Sequence, residues 1–112
     1  MAITVNVLVP AKIAEDSQTT QYTSTNVTTI IDKMTATNFS GGVVTISVNL
    51  VTFSGSAGTS NLIVKTKALQ PAETYTFPEI VGQYLSPGDF ISTVASAASS
   101  INIRVSGRKV TQ

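Results

Sequence analysis

Apolar and polar residues alternate along most of this chain, with a period of two. The longest such stretch, Asn26 to Phe53, reads NVTTIIDKMTATNFSGGVVTISVNLVTF: two β-patterned arms joined at Ser40-Gly41-Gly42. In the second arm Val44, Ile46, Val48 and Leu50 fall on one face, and Thr45, Ser47, Asn49 and Val51 on the other. Side chains on a strand change face at every residue, so this is a half-buried strand. The first arm sets Ile30, Met34 and Ala36 against Thr35 and Thr37, with Asp32 interrupting the apolar face. Either Asp32 sits at the strand mouth, or a bulge turns it outward. Gly41-Gly42 can take positive φ without steric cost, as a tight turn requires, so the pattern predicts a long-armed hairpin at the centre of the fold.

The flanking segments continue the theme. Ile3, Val5, Val7 and Val9 share one face of a strand that Pro10 stops. Residues 11–18 are too short for a stable helix and read as a loop. Thr19 to Thr23 is a short strand, and Ser24-Thr25-Asn26 a turn. Ser54 to Asn61 is a flexible loop by its Gly and Ser content. Leu62 to Lys67 alternates again, Leu69 to Glu73 turns at Pro71, and Thr74 to Phe77 is a short strand ended by Pro78. Residues 79–85 read equally as a strand or a helical turn. Ser86-Pro87-Gly88-Asp89 is a turn with Pro and Gly at its centre. Phe90 to Ala95 is a strand, and Ile101, Ile103 and Val105 face inward from a last strand that runs past Gly107 to Val110. About eight strands, with turn signals at intervals of roughly 8–12 residues, predict one all-β domain over residues 1–112: an antiparallel β-sandwich or jelly roll.

Composition narrows the chemistry. Cysteine, histidine and tryptophan are absent, which removes disulfides, Ser-His-Asp and Cys-His arrangements, and zinc sites built on His or Cys. The net charge is +1 and only 12% of residues are charged. Such a surface has little field to draw nucleic acid or an anionic membrane, so neither is expected as a partner. The N-terminus lacks the basic and long apolar regions of a signal peptide, and no apolar run approaches the ~18 residues that span a bilayer. The six carboxylates are Glu15, Asp16, Asp32, Glu73, Glu79 and Asp89. Their spacing does not suggest the facing pair a glycosidase needs. Glu73 and Asp89 lie in turns, where acidic residues accept backbone N–H bonds. No catalytic residue, metal ligand or cofactor is expected. Lys65, Lys67, Arg104, Arg108 and Lys109 read either as a patch for an acidic protein or as charges guarding strand edges. Tyr22, Tyr75 and Tyr84 read either as core-rim tyrosines or as the platform of a glycan-binding module.

The order of segments resembles the small β-sandwich virion proteins of tailed bacteriophages, above all capsid decoration (cement) proteins. The pieces that carry the resemblance are Ile30 to Asn38 leading into Ser40-Gly41-Gly42, the alternating Val43 to Leu50, the turn Leu69 to Thr74, Leu85-Ser86-Pro87-Gly88-Asp89 and the closing Ile101 to Gly107. It spans roughly residues 20–110 and leaves 1–18 as an N-terminal strand or arm free for partner contact. The resemblance implies a non-enzymatic structural protein of the virion, made in the host cytoplasm. It would bind the major capsid protein on the outer surface of a phage shell and associate with itself as a dimer or trimer. The contact residues expected are Ile3, Val5, Val7 and Val9, which could add a strand to a neighbouring sheet edge, and Ser54, Gly55, Gly58 and Asn61 in the long loop. A tail- or fibre-associated module of the same kind of virion is the alternative, and a glycan-binding module a further one.

Overall fold

The computed structural model describes residues 2–111; Met1 and Gln112, the outermost positions of the expected domain, lie outside the described residues. Among the described residues, nine strands form two antiparallel sheets packed face to face. β1 (Ala2–Ile13), β9 (Ile101–Thr111) and β3 (Thr28–Asn38) lie side by side in the first sheet. β3's far side is covered by the short β6 (Thr74–Tyr75) and β7 (Tyr84–Leu85). The second sheet has the order β2 (Thr19–Thr23), β8 (Phe90–Ala95), β4 (Val44–Val51) and β5 (Leu62–Leu69). Between them Ile31, Met34, Ile46, Val48, Leu69, Phe77, Ile91, Ile101 and Ile103 are sealed from solvent. Each such aliphatic side chain contributes about 1.5–3 kcal/mol by leaving water. The sandwich and the inward face of the last strand are as the periodicity predicts.

The expected central hairpin does not form. β3 and β4 belong to different sheets, and the segment between them crosses from one layer to the other. Asn38 builds this crossover. Its buried amide donates to the carbonyls of Gly42 (2.8 Å) and Leu69 (2.9 Å), and its Oδ1 accepts from the Ser40 amide (2.9 Å) and hydroxyl (2.7 Å). Gly41 and Gly42 keep ordinary φ, and a Cβ at either would meet nothing within 4 Å. Alternation identified both arms as strands, but a period of two says nothing about which strand pairs with which.

Bulges account for two further departures. At Asp32 the β3–β9 register slips between Ile31 and Lys33. The slip turns Asp32 out to solvent and places Ile31, rather than Ile30, in the core with Met34 and Ala36. This is the outward bulge that an acid inside an apolar face suggested. β1 does not stop at Pro10 but runs on to Ile13, with register shifts at Val7/Val9 and Val9/Lys12. An edge strand tolerates proline, because the missing N–H would face outward. At the first shift Leu8 and Val9, adjacent in sequence, are both buried. Residues 79–85 resolve into a turn, with Gly82 at φ +90, followed by β7. The Pro87-Gly88 turn has Gly88 at φ +93, as a type II turn requires.

Candidate interaction surface

β1 forms the outer edge of its sheet. Its partners on β9 fix which way each side chain points: Ile3 lies opposite Val110, Val5 opposite Arg108 and Val7 opposite Ser106. These β9 residues alternate with the buried Ile101, Ile103 and Val105, so Ile3, Val5 and Val7 stand on the outer face of the sandwich. Val5 is 83% exposed, Ile3 56% and Val7 48%. The row continues across the sheet through Arg108 and Ile30 to Tyr84, itself 67% exposed. Val9 departs from the expectation: the bulge at Leu8 reverses the phase, and Val9 is core, 1% exposed. Three of the four β1 residues singled out from sequence therefore form a contiguous apolar stripe on an open edge, and the fourth holds the strand to the core.

The loop from Ser54 to Asn61 is not a free segment. Thr59–Asn61 form a 3-10 turn. Asn61 Nδ2 donates to the Ser56 carbonyl (3.0 Å), and its Oδ1 accepts from the Gly58 amide (3.0 Å) and Asn49 Nδ2 (2.7 Å). Gly55 N–H closes onto the Thr52 carbonyl (2.9 Å). Ser54 is at φ +68. Asn61 thus fastens the loop from within. Nor do the two segments share a surface. β1 lies over β2 at one side of the sandwich, whereas the loop leads into β5, whose Lys67 sits over Tyr75 of β6 at the other.

The carboxylates are largely committed within the domain. Glu73 accepts from the Gln70 amide (2.7 Å), and Asp89 from the Phe53 and Ser86 amides (3.0 Å each), the turn roles read from sequence. Asp32 receives a bidentate pair from Arg108 on the outer face, which raises the guanidinium pKa. Hydrogen bonds from Gln21 and then Lys12 hold the Glu15 carboxyl below its usual range. Surface clefts are open to solvent. The one on the outer face between Ala11, Thr37, Phe39, Asn102 and Arg104 has a volume near 400 Å³ and carries no carboxylate.

The tyrosines do not form a common platform. Tyr22 belongs to the second sheet, and its hydroxyl lies 2.8 Å from that of buried Thr29. Tyr84 is on the outer face of the first sheet. Tyr75 packs edge-on against Phe77 (4.8 Å) and donates its hydroxyl to both Glu79 oxygens at 2.6–2.7 Å. That bond pushes the Tyr75 hydroxyl up to about 12, with burial and the Glu79 charge adding to it, and holds the Glu79 carboxyl below its ordinary range. The pair therefore supports the fold across a wide window. The Glu79 contribution is lost as pH falls through its depressed pKa, and the Tyr75 contribution as pH rises through about 12. In a tyrosinate absorbance titration one tyrosine is expected to ionise only near pH 12. In Tyr75→Phe that late step disappears and the Glu79 carboxyl titrates higher; an unchanged late step would locate the interaction elsewhere.

No family model and no curated protein matches the sequence. Among solved structures, one from a study described as "Bacillus endospore appendages form a novel family of disulfide-linked pili" superposes with a TM-score of 0.56 at 15% identity, over 97% of this chain and 88% of that one. At that identity the likeness is one of fold. The linkage named for those pili has no counterpart here, because this chain contains no cysteine. The comparison thus agrees with an all-β sandwich and gives no support to a phage decoration protein.

Proposed function

We propose that this chain is a structural subunit that works by packing against other protein subunits, not an enzyme. The observation that carries this reading is the stripe Ile3, Val5 and Val7, exposed on an open sheet edge. An uncovered apolar edge strand is an aggregation hazard, which proteins keep where another chain covers it. Two further features support the reading: the missing histidine and cysteine, and carboxylates tied to their own turns and neighbours. A structural neighbour from appendage pili is in keeping with an assembly role.

The finer form of the proposal, which rests on the sequence resemblance, is a decoration (cement) protein bound to the outer surface of a tailed-phage shell. Its mechanism is mass action: a protein that binds only the assembled lattice stabilises it by about 2.7 kcal/mol per site at a hundredfold excess over Kd. Two measurements test it. Stained gels of purified particles should give on the order of hundreds of copies per particle, against about a dozen for a tail ring. Purified protein added to stripped shells should raise their melting temperature. A low copy number moves the protein to the tail; absence from particles, with no shift in shell melting, overturns the virion reading.

A further inference from the structure

We propose that β1 pairs with β1 of a second copy, antiparallel and across a twofold axis, to give a closed dimer with one continuous sheet. This deepens the reading of the chain as a structural subunit, and rests on it, by naming the occupant of the open edge.

The first argument is a survey of edges. An edge strand offers a row of free N–H and C=O groups that only another strand satisfies in full. Three of the four lateral edges are protected. β2 is five residues long with a register shift between Thr20 and Tyr22. β5 carries Lys65 and Lys67, has Thr66 at φ +44 and pairs irregularly with β4. The far side of β3 is closed by two-residue strands and by backbone bonds from Gly82 to the Ile31 carbonyl (2.8 Å) and from Ile31 to the Gln83 carbonyl (2.9 Å). β1 has none of these devices before its bulge at Leu8. From Ala2 to Val7 it is regular, uncharged and rich in β-branched residues. A strand added to β1 by a second copy comes from β1 again, because pairing with β2 or β5 would have to overcome a bulge or the lysines. Use of the same edge on both copies gives an isologous dimer, which closes rather than growing into a filament.

The second argument is register. Residues directly opposite in an antiparallel pair point to the same face. A twofold axis through Val5 places Val5 opposite the second copy's Val5 and Ile3 opposite its Val7, all on the outer face. The inner-face residues Thr4 and Asn6 then stand opposite one another; within one chain their side chains already hydrogen-bond at 2.9 Å. Every position from Ile3 to Val7 meets a chemically matched one. The bulge at Leu8 and Pro10 end the pairing on both sides of the axis.

The test uses the full chain. Sedimentation equilibrium of the wild type should give twice the chain mass of 11.7 kDa. V5K and V5E should each be monomeric, with dissociation constants raised at least about a hundredfold by like charges in apposition, and their equimolar mixture should recover the dimer. Circular dichroism should be unchanged in both, because Val5 is almost wholly exposed in the protomer. The register has its own reporter. Cα atoms directly opposite lie about 4.5–5.5 Å apart, inside the roughly 4.4–6.8 Å range of a disulfide. With no native cysteine, V5C should oxidise to a covalent dimer, whereas T4C, whose copies are offset by two residues and about 7–8 Å apart, should not. A wild type that stays monomeric at about 100 μM, or a V5K variant that dimerises like the wild type, overturns the proposal. A monomer that still binds shells removes the dimer and leaves the structural-subunit reading intact; a dimer absent from any particle does the reverse.

Discussion

Gly107→Ala is expected to cost about 3 kcal/mol or more and to leave the domain partly unfolded at physiological temperature. Gly107 is buried in β9 opposite Ile31, where three strands pass close together. A Cβ there would stand 2.1 Å from the Ile30 carbonyl oxygen and 2.8 Å from the Leu8 side chain. The first contact is with backbone in a hydrogen-bonded strand, which cannot rotate away as a side chain can. Relief would require parting β3 from β9 next to the Asp32 bulge. The measurement is a urea melt, in which the midpoint should fall sharply. Gly58→Ala is the control: Gly58 has extended backbone and open space around its Cα, so the change should stay within about 0.5 kcal/mol. Equal effects at the two positions would refute the steric account.

The second large effect is expected at Asn38. Asn38→Ala removes both donors that satisfy the Gly42 and Leu69 carbonyls and the acceptor for the Ser40 amide. Each buried polar group left without a partner costs about 1–3 kcal/mol, and the Leu69 end is the least accessible to replacement water. A loss of about 3 kcal/mol is expected from thermal or urea unfolding. Ser40→Ala, which removes the long hydroxyl bond to the Gly42 carbonyl (3.1 Å) but leaves both contacts from the Asn38 amide in place, should cost under about 1 kcal/mol. If the two variants unfold alike, the crossover is held by packing rather than by the asparagine.

These two residues mark where the sequence is readable and where it is not. Strand positions, the inward face of Ile101, Ile103 and Val105, and the turns at Glu73 and Asp89 follow from local chemistry: a period of two, a proline, a carboxylate near free amides. Asp32 marked an irregularity in its strand, at the mouth or at a bulge, and the bulge is what forms. Strand pairing did not follow. Ser40-Gly41-Gly42 looks like a hairpin turn, whereas Asn38, the last residue of the first arm's strand, carries the information and resembles any other strand asparagine. Ile3, Val5 and Val7 were legible as one face and as candidate contacts, but the departure of Val9 from that face was not. Only the bulge at Leu8 separates them from the buried Val9, and adjacent apolar residues do not announce which of them breaks the alternation.

The partnership of β1 with β9 has a consequence for how the molecule comes into being. β1 is hydrogen-bonded along its length to β9, about a hundred residues later in the chain, with Ala2 beside Thr111. While the intervening residues are still emerging from the ribosome, ITVNVLV lacks its β9 mate and is open to pairing with another chain. The first sheet can be completed only after translation of β9. Topology of this kind, dominated by pairings distant in sequence, belongs to the slow end of small-domain folding, in milliseconds to seconds. Nascent chains crowded on one message would meet through the same strand that the finished protein leaves open.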